Sequence, residues 1–288
     1  MAGRGLHSIL VPVRDDGMGD NVLTHAAALA RRFSARVRVV HCHPKADDLM
    51  PYGVVIPRVL RRQIEEVASR NVDVTKDQLL SGFRTLAESL GLKEQDHTPG
   101  TATVRFIEYE GKQVDAVRHF GRVVDLICVP KPDRRQNLGT NTLKAALFSS
   151  ARPVMMCPHN DALPESFGDH VAIGWNGSLE ASRAVALSMA FIEAAKKVSI
   201  LSSGDTPHAA TAAEFQRYLE VRGVAAQVHS FKLRSKNAGQ QLLEQCQEID
   251  AGLLVMGAYH DSFERESVLG GNSQAVVDAA AIPVVMTH

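Results

Sequence analysis

The stretch AGLLVMGAYHDSFERESVLGGNSQAVVDAAAIPVVM, Ala251–Met286, decides the fold. Its first apolar run has the length and composition of a buried strand. Gly257 leaves that strand, and the pair Gly270–Gly271 opens a helical segment that leads to a second strand around Pro283–Met286. A strand–loop–helix–strand unit belongs to a parallel sheet covered by helices. The same layout can wrap a phosphate, because free N–H groups at a helix start attract anions and glycines let backbone approach closely.

Upstream, the alternation continues. VAIGW reads as a strand, Ser178 as the N-cap of a helix with Glu180 in its first turn, and Ala181, Val185, Met189 and Ile192 continue at helical spacing. KVSILSS reads as a strand, AATAAEFQRYLEVRG as a helix ended by Gly223, VAAQVHSF as a strand, and Gly239–Glu248 as a helix.

The chain repeats itself. SILVPVRDDG (Ser8–Gly17) corresponds to HVAIGWNGS (His170–Ser178), VDLICVP (Val124–Pro130) to AGLLVMG (Ala251–Gly257), and ARPVMMCP (Ala151–Pro158) to AIPVVMTH (Ala281–His288). Three matches in one order mark two homologous halves. These are expected to be residues 1–158 and 169–288, joined by the polar, turn-rich PHNDALPESFGD. The first half carries an additional helical stretch, about residues 46–95, with a long amphipathic helix, or two, from Val59 onward. The expected fold is α/β: two open, mainly parallel five-stranded sheets with helices on both faces.

Lys+Arg and Asp+Glu are both 32, so the formal net charge is zero. A neutral chain lacks the broad positive field expected of a partner of nucleic acid or anionic membrane. No apolar run reaches the roughly 18 residues of a membrane span, and the N-terminal apolar run meets Arg14 too soon for a secretory signal. Cys42, Cys128, Cys157 and Cys246 are too widely spaced for a zinc site or a disulfide scaffold. The expectation is cytoplasmic residence, with no nucleic-acid or membrane partner.

The paired motifs resemble the tandem universal stress proteins over essentially the whole chain, apart from the helical stretch of the first half. A domain of that family opens with a strand ending in Asp-Gly-Ser or similar. It closes with Gly-x-x-Gly, nine residues, a further Gly and then Ser or Thr, followed by a helix and a Pro-Val strand. Here the opening motif is GWNGS. The closing one is Gly257-Ala258-Tyr259-His260, nine residues, then Gly270-Gly271, with IPVVM after it. The resemblance implies a cytoplasmic stress-response protein that binds a ligand rather than an enzyme. ATP with Mg²⁺, or another adenine nucleotide, would be the candidate ligand, held in the second half beyond the carboxyl ends of the strands. Gly257, His260, Gly270, Gly271, Asn272 and Ser273 would surround phosphates and ribose, beside Met256, with Asn176 where the family usually has Asp near adenine. It also implies that the two halves pair within the chain through PVMMCP and PVVMTH. A homodimer of the whole chain and further protein partners are left open.

The sequence departs from the family pattern. His260 stands at a glycine position and Gly271 at a Ser or Thr position, where Ser273 offers a nearby hydroxyl. In the first half Arg14 replaces the Asp, and Pro130, which has no N–H, replaces the first glycine. The segment KPDRRQNLGTNTLKAALFSS there lacks a glycine-pair helix start. Nucleotide is therefore expected in the second half only.

Other chemistry finds little support. In VVHCHP, His41 and His43 point to one strand face and Cys42 to the other, so the three cannot share a metal ion. No P-loop, dinucleotide fingerprint or nucleophile elbow occurs. Three readings stay open: a ligand-binding stress protein, a nucleotide-free scaffold acting through protein contacts, and a weak ATP hydrolase with only Asp261 and Glu264 to position water.

Overall fold

The computed structural model describes residues 5–13, 18–43, 57, 79–159, 162–204, 209–234, 237–258 and 271–288. The first half runs β1 (Ser8–Val13), α1 (Gly19–Phe33), β2 (Arg36–His43) and a helix α2 seen over residues 79–89. It continues with β3 (Lys93–Glu94), β4 (Thr103–Glu110), α3 (Gln113–Phe120), β5 (Leu126–Pro130), α4 (Thr140–Ser149) and β6 (Val154–Cys157). The second half runs β7 (His170–Gly174), α5 (Leu179–Leu187), α6 (Met189–Ala194), β8 (Lys197–Ser202), α7 (Ala212–Val221) and β9 (Ala226–Ser230). It ends with α8 (Ala238–Glu248), β10 (Leu253–Gly257), α9 (Gly271–Ala279) and β11 (Val284–Thr287). Most of the expected helical insert, residues 46–56 and 58–78, lies outside the described residues.

Among the described residues eleven strands form one sheet, in the order β3-β4-β2-β1-β5-β6-β11-β10-β7-β8-β9. Every pairing is parallel except that of β6 with β11, where Met155 lies opposite Val285. The two sheets of the sequence reading are thus continuous, and the first has an added strand, the two-residue β3. The antiparallel seam pairs two strands that would otherwise be open, aggregation-prone edges. Its residues Val154, Met155, Met156, Val284, Val285 and Met286 are fully buried.

The near-continuous apolar strands follow from helices on both faces. Alternate residues of β1 serve opposite cores: Ile9 and Val11 pack with α1, while Leu10 packs with α3 and α4. The caps also formed as the sequence indicated. Ser178 Oγ accepts from Ala181 N, and Gly223 adopts φ +77 after α7. Thr211 and Glu214 add a capping box. The continuous helix expected over Ala181–Ile192 is instead broken at Ser188. The Ser188 N–H is shared between Ala184 O and Val185 O, which tightens the last turn of α5 and restarts the chain as α6.

The halves also meet away from the seam. Arg32 of α1 donates to Asp169 Oδ1 at 2.7 Å and to Ala194 O, and Asn21 donates to Pro158 O. Phe33 meets Phe191 edge-on at 5.9 Å. All four cysteines are buried, and burial holds the Cys128 and Cys157 thiols well above their ordinary range.

Candidate functional site

Parallel strands of one half end together, and ligands of open α/β sheets lie beyond those carboxyl ends. In the second half, β7, β8 and β10 end around an open cavity of about 240 Å³. Its walls come from the strand exits (Gly174, Trp175, Leu201, Ser203, Met256, Gly257), the first turn of α5 (Ser178, Glu180), α8 (Ala238, Gly239, Leu242) and the start of α9 (Gly271, Asn272, Ser273).

Six of the eight residues singled out in the sequence line this cavity together: Asn176, Met256, Gly257, Gly271, Asn272 and Ser273. His260 and Gly270 lie outside the described residues, as do Asp261 and Glu264. Sequence reading missed Trp175, Glu180, Ser203, Phe231 and Leu242. Ser203 and Phe231 directly follow β8 and β9, so the rule that placed Gly257 would have found them. Glu180 and Leu242 reach the site only through helix packing.

Gly257 serves packing as well as lining. A Cβ there would stand 2.5 Å from Ala181 N and 2.6 Å from Glu180 C, so its absence lets β10 run against the start of α5. Gly239 does the same for the helix pair α8 and α9, where a Cβ would meet Asn272 O at 2.0 Å. Gly271 has open space around its missing Cβ. The two asparagines hold backbone: Asn176 Oδ1 accepts from Ser178 N at 3.1 Å, and Asn272 Oδ1 accepts from Ala238 N at 3.0 Å. Beside the cavity, Trp175 stacks on Phe215 at 4.1 Å, donates to Ala210 O, and fixes the wall after β7. Among the described lining residues the one charged side chain is the buried Glu180, and there is no Lys or Arg.

The matching crevice of the first half is bridged. Gln113, at the start of α3, donates from Nε2 to Pro12 O at 2.9 Å, and its Oε1 accepts from Thr142 Oγ1 in the first turn of α4 at 2.8 Å. The loop after β5 turns to the other half. Lys131 Nζ donates to Ala280 O just past the end of α9 at 2.9 Å, and Arg134 Nε pairs with Asp278 at 2.8 Å. His41 and His43 do point to one face, and both approach Glu108 Oε2, at 3.2 and 3.7 Å.

Residues 171–288 match the universal stress protein family. This match covers the half that holds the cavity. Solved structures resemble the chain over both halves. A universal stress protein from Archaeoglobus fulgidus DSM 4304 is 16% identical over 97% of each chain, with a TM-score of 0.72. A putative universal stress protein from Pseudomonas aeruginosa UCBPP-PA14 is 15% identical over 98% of this chain and 93% of its own, with a TM-score of 0.56. A functionally unknown protein from Pseudomonas aeruginosa PAO1 is 14% identical over 98% and 92%, with a TM-score of 0.57. At such identities the likeness is one of fold. No curated protein matches the chain. Among the described residues no helix is long and apolar enough to cross a membrane.

Proposed function

We propose that the chain is a cytoplasmic stress-response protein that binds one small ligand of the adenine-nucleotide class in the cavity of its second half, and acts by presenting ligand-dependent surfaces rather than by turnover. The observation that carries this reading is the convergence of Asn176, Met256, Gly257, Gly271, Asn272 and Ser273 on one cavity at the carboxyl ends of β7 and β10. The start of α9 offers N–H groups to an anion there. Leu201, Phe231, Leu242 and Met256 offer apolar surface to a base.

A second reading, a nucleotide-free scaffold, is favoured by the charge of the walls. Glu180 is acidic and no Lys or Arg lines the described part, whereas a polyphosphate calls for cations. Calorimetric titration of ATP with Mg²⁺ separates the two. The expected result is one site per chain, abolished by Gly271→Trp, whose side chain enters open space at the helix start. Absence of heat through millimolar ATP at several temperatures, with the protein folded, would leave the scaffold reading.

A further inference from the structure

On β2, Val37 and Val39 point into the core beneath α1, so Arg36 and Arg38 point to the opposite face. Along that face Val40 and Cys42 are buried with residues of α3, while the arginines lie nearer the strand start and remain part-exposed. The register sets Arg36 beside Thr103 and Arg38 beside Arg105 on β4, and Lys93 of β3 lies on the far side of Thr103. Neighbouring strands are about 4.8 Å apart and alternate residues about 6.6 Å apart, so four cations surround one threonine within the reach of a single small anion.

Like charges opposite one another in a sheet are unfavourable, and nothing here relieves them well. Neither Arg36 nor Arg38 has a carboxylate partner among the described residues, and the Nε of each is shielded from water without an acceptor. The Thr103 hydroxyl, at 0% exposure, also lacks a partner among the described residues. Two acids of this half are otherwise engaged: Asp96, itself exposed, pairs with Arg105 at 3.2 Å, and Asp125 accepts from the N–H groups of His7 and Ser8. Burial and the charges of Arg36 and Arg105 hold the Arg38 guanidinium below its ordinary value, as expected where cations face each other without an anion.

We infer that this face of the first half is a binding site for a small phosphate-type oxyanion, gripped by Arg36, Arg38 and Arg105 with Thr103 as a buried hydroxyl partner. Guanidinium forks match phosphate oxygens in pairs, both arginines remain part-exposed, and a bound anion would relieve the repulsion among these cations. The site is separate from the cavity of the second half and stands or falls independently of it.

The test is titration of inorganic pyrophosphate into the full chain at constant ionic strength, by calorimetry and by melting temperature. Saturable binding at one site and a raised melting temperature are expected. Arg38→Gln should weaken binding at least tenfold and Thr103→Val several-fold. Without pyrophosphate, Arg38→Gln should melt no lower than the parent, because it removes repulsion. Arg105→Gln, at an exposed position, supplies a second weakened variant should Arg38→Gln fail to fold. Gly271→Trp should leave pyrophosphate binding intact. No saturation, an equal response to sodium chloride, or loss of binding in Gly271→Trp with retention in the arginine variants would each overturn the assignment.

Discussion

At the end of β1 the Gln113 side chain crosses to Thr142 at the start of α4, whereas at the end of β7 the corresponding space is bounded by Gly174, Gly239 and Gly271 and stays open. Both halves use the same exits. After β5, Lys131 N donates to Cys157 O at 2.7 Å, and after β10, Ala258 N donates to Thr287 O at 2.8 Å. The backbone frame is thus shared, and the difference lies in what fills the crevice. A polar side chain that spans a crevice makes a brace; glycines that let helices meet beside it leave a cavity. The loop of the first half reinforces the division, because Lys131 and Arg134 lean on the C-terminal end of α9, whose N-terminal end borders the cavity. One half has become the support of the other's site.

The strongest way to break this comparison is to give the glycines side chains. Gly239→Ala sets a Cβ against the Asn272 carbonyl, which is backbone and cannot swing aside. Overpacking of that kind should cost about 3 kcal/mol, the upper end of its usual range. On the proposed reading the displaced α8 should also weaken nucleotide binding. Gly121→Ala, at the end of α3, meets chiefly the flexible Ile127 Cδ1 at 2.8 Å and should cost about 1 kcal/mol. Urea denaturation of both variants checks the order. Equal costs would mean that helices α8 and α9 are not held by close backbone contact.

Gln113→Ala removes the brace of the first half. Thr142, 3% exposed, then has a hydroxyl without its acceptor, and the Pro12 carbonyl loses a donor. Leaving such a buried group unsatisfied should cost about 2 kcal/mol. On the proposed reading the ATP stoichiometry should stay at one per chain, because α4 of the first half starts from the single Gly139 and lacks the glycine pair. A second nucleotide bound by Gln113→Ala would show that the side chain alone had closed that crevice.

How much of this was legible in the sequence differs between elements. The strands were legible because short apolar runs recur between helical periods, whereas the seam between PVMMCP and PVVMTH was expected only from the family resemblance. The break at Ser188 was not, since a shared N–H bond leaves no mark on apolar spacing. At the site, the glycines announced close approach but not its object: the missing Cβ of Gly257 faces α5. Phe231 and Leu242 enter the cavity from strands and helices distant in sequence, which no local pattern conveys. The arginine face was half legible. Arg36 and Arg38 alternate with core valines, but only the register with β4 brings Arg105 and Thr103 beside them, and a neutral net charge conceals such a concentration.

The smallest effect expected is a pH dependence centred on α1, the helix of the first half that packs on the second. His25 is fully buried; its Nδ1 lies 2.8 Å from Asn21 O, its Nε2 has no partner among the described residues, and Phe167 stands edge-on at 5.6 Å. Burial lowers its pKa below 6.5, against a smaller upward pull from the Asn21 carbonyl. The unfolded chain therefore binds this proton first. Stability is full above about pH 6.5 and declines as the pH falls from there towards the folded value, by at most about 1.4 kcal/mol per pH unit for one histidine. His170, also lowered chiefly by burial, titrates in the same direction, so the measurement is a difference. His25→Gln should flatten part of the slope between pH 6.5 and 5 in urea midpoints. Asp169, whose carboxyl is held low by Lys196 and Arg32, weakens the fold only as the pH falls below about 3.8 and does not interfere. An unchanged slope in His25→Gln would remove α1 from the acid response and leave the second half to account for it.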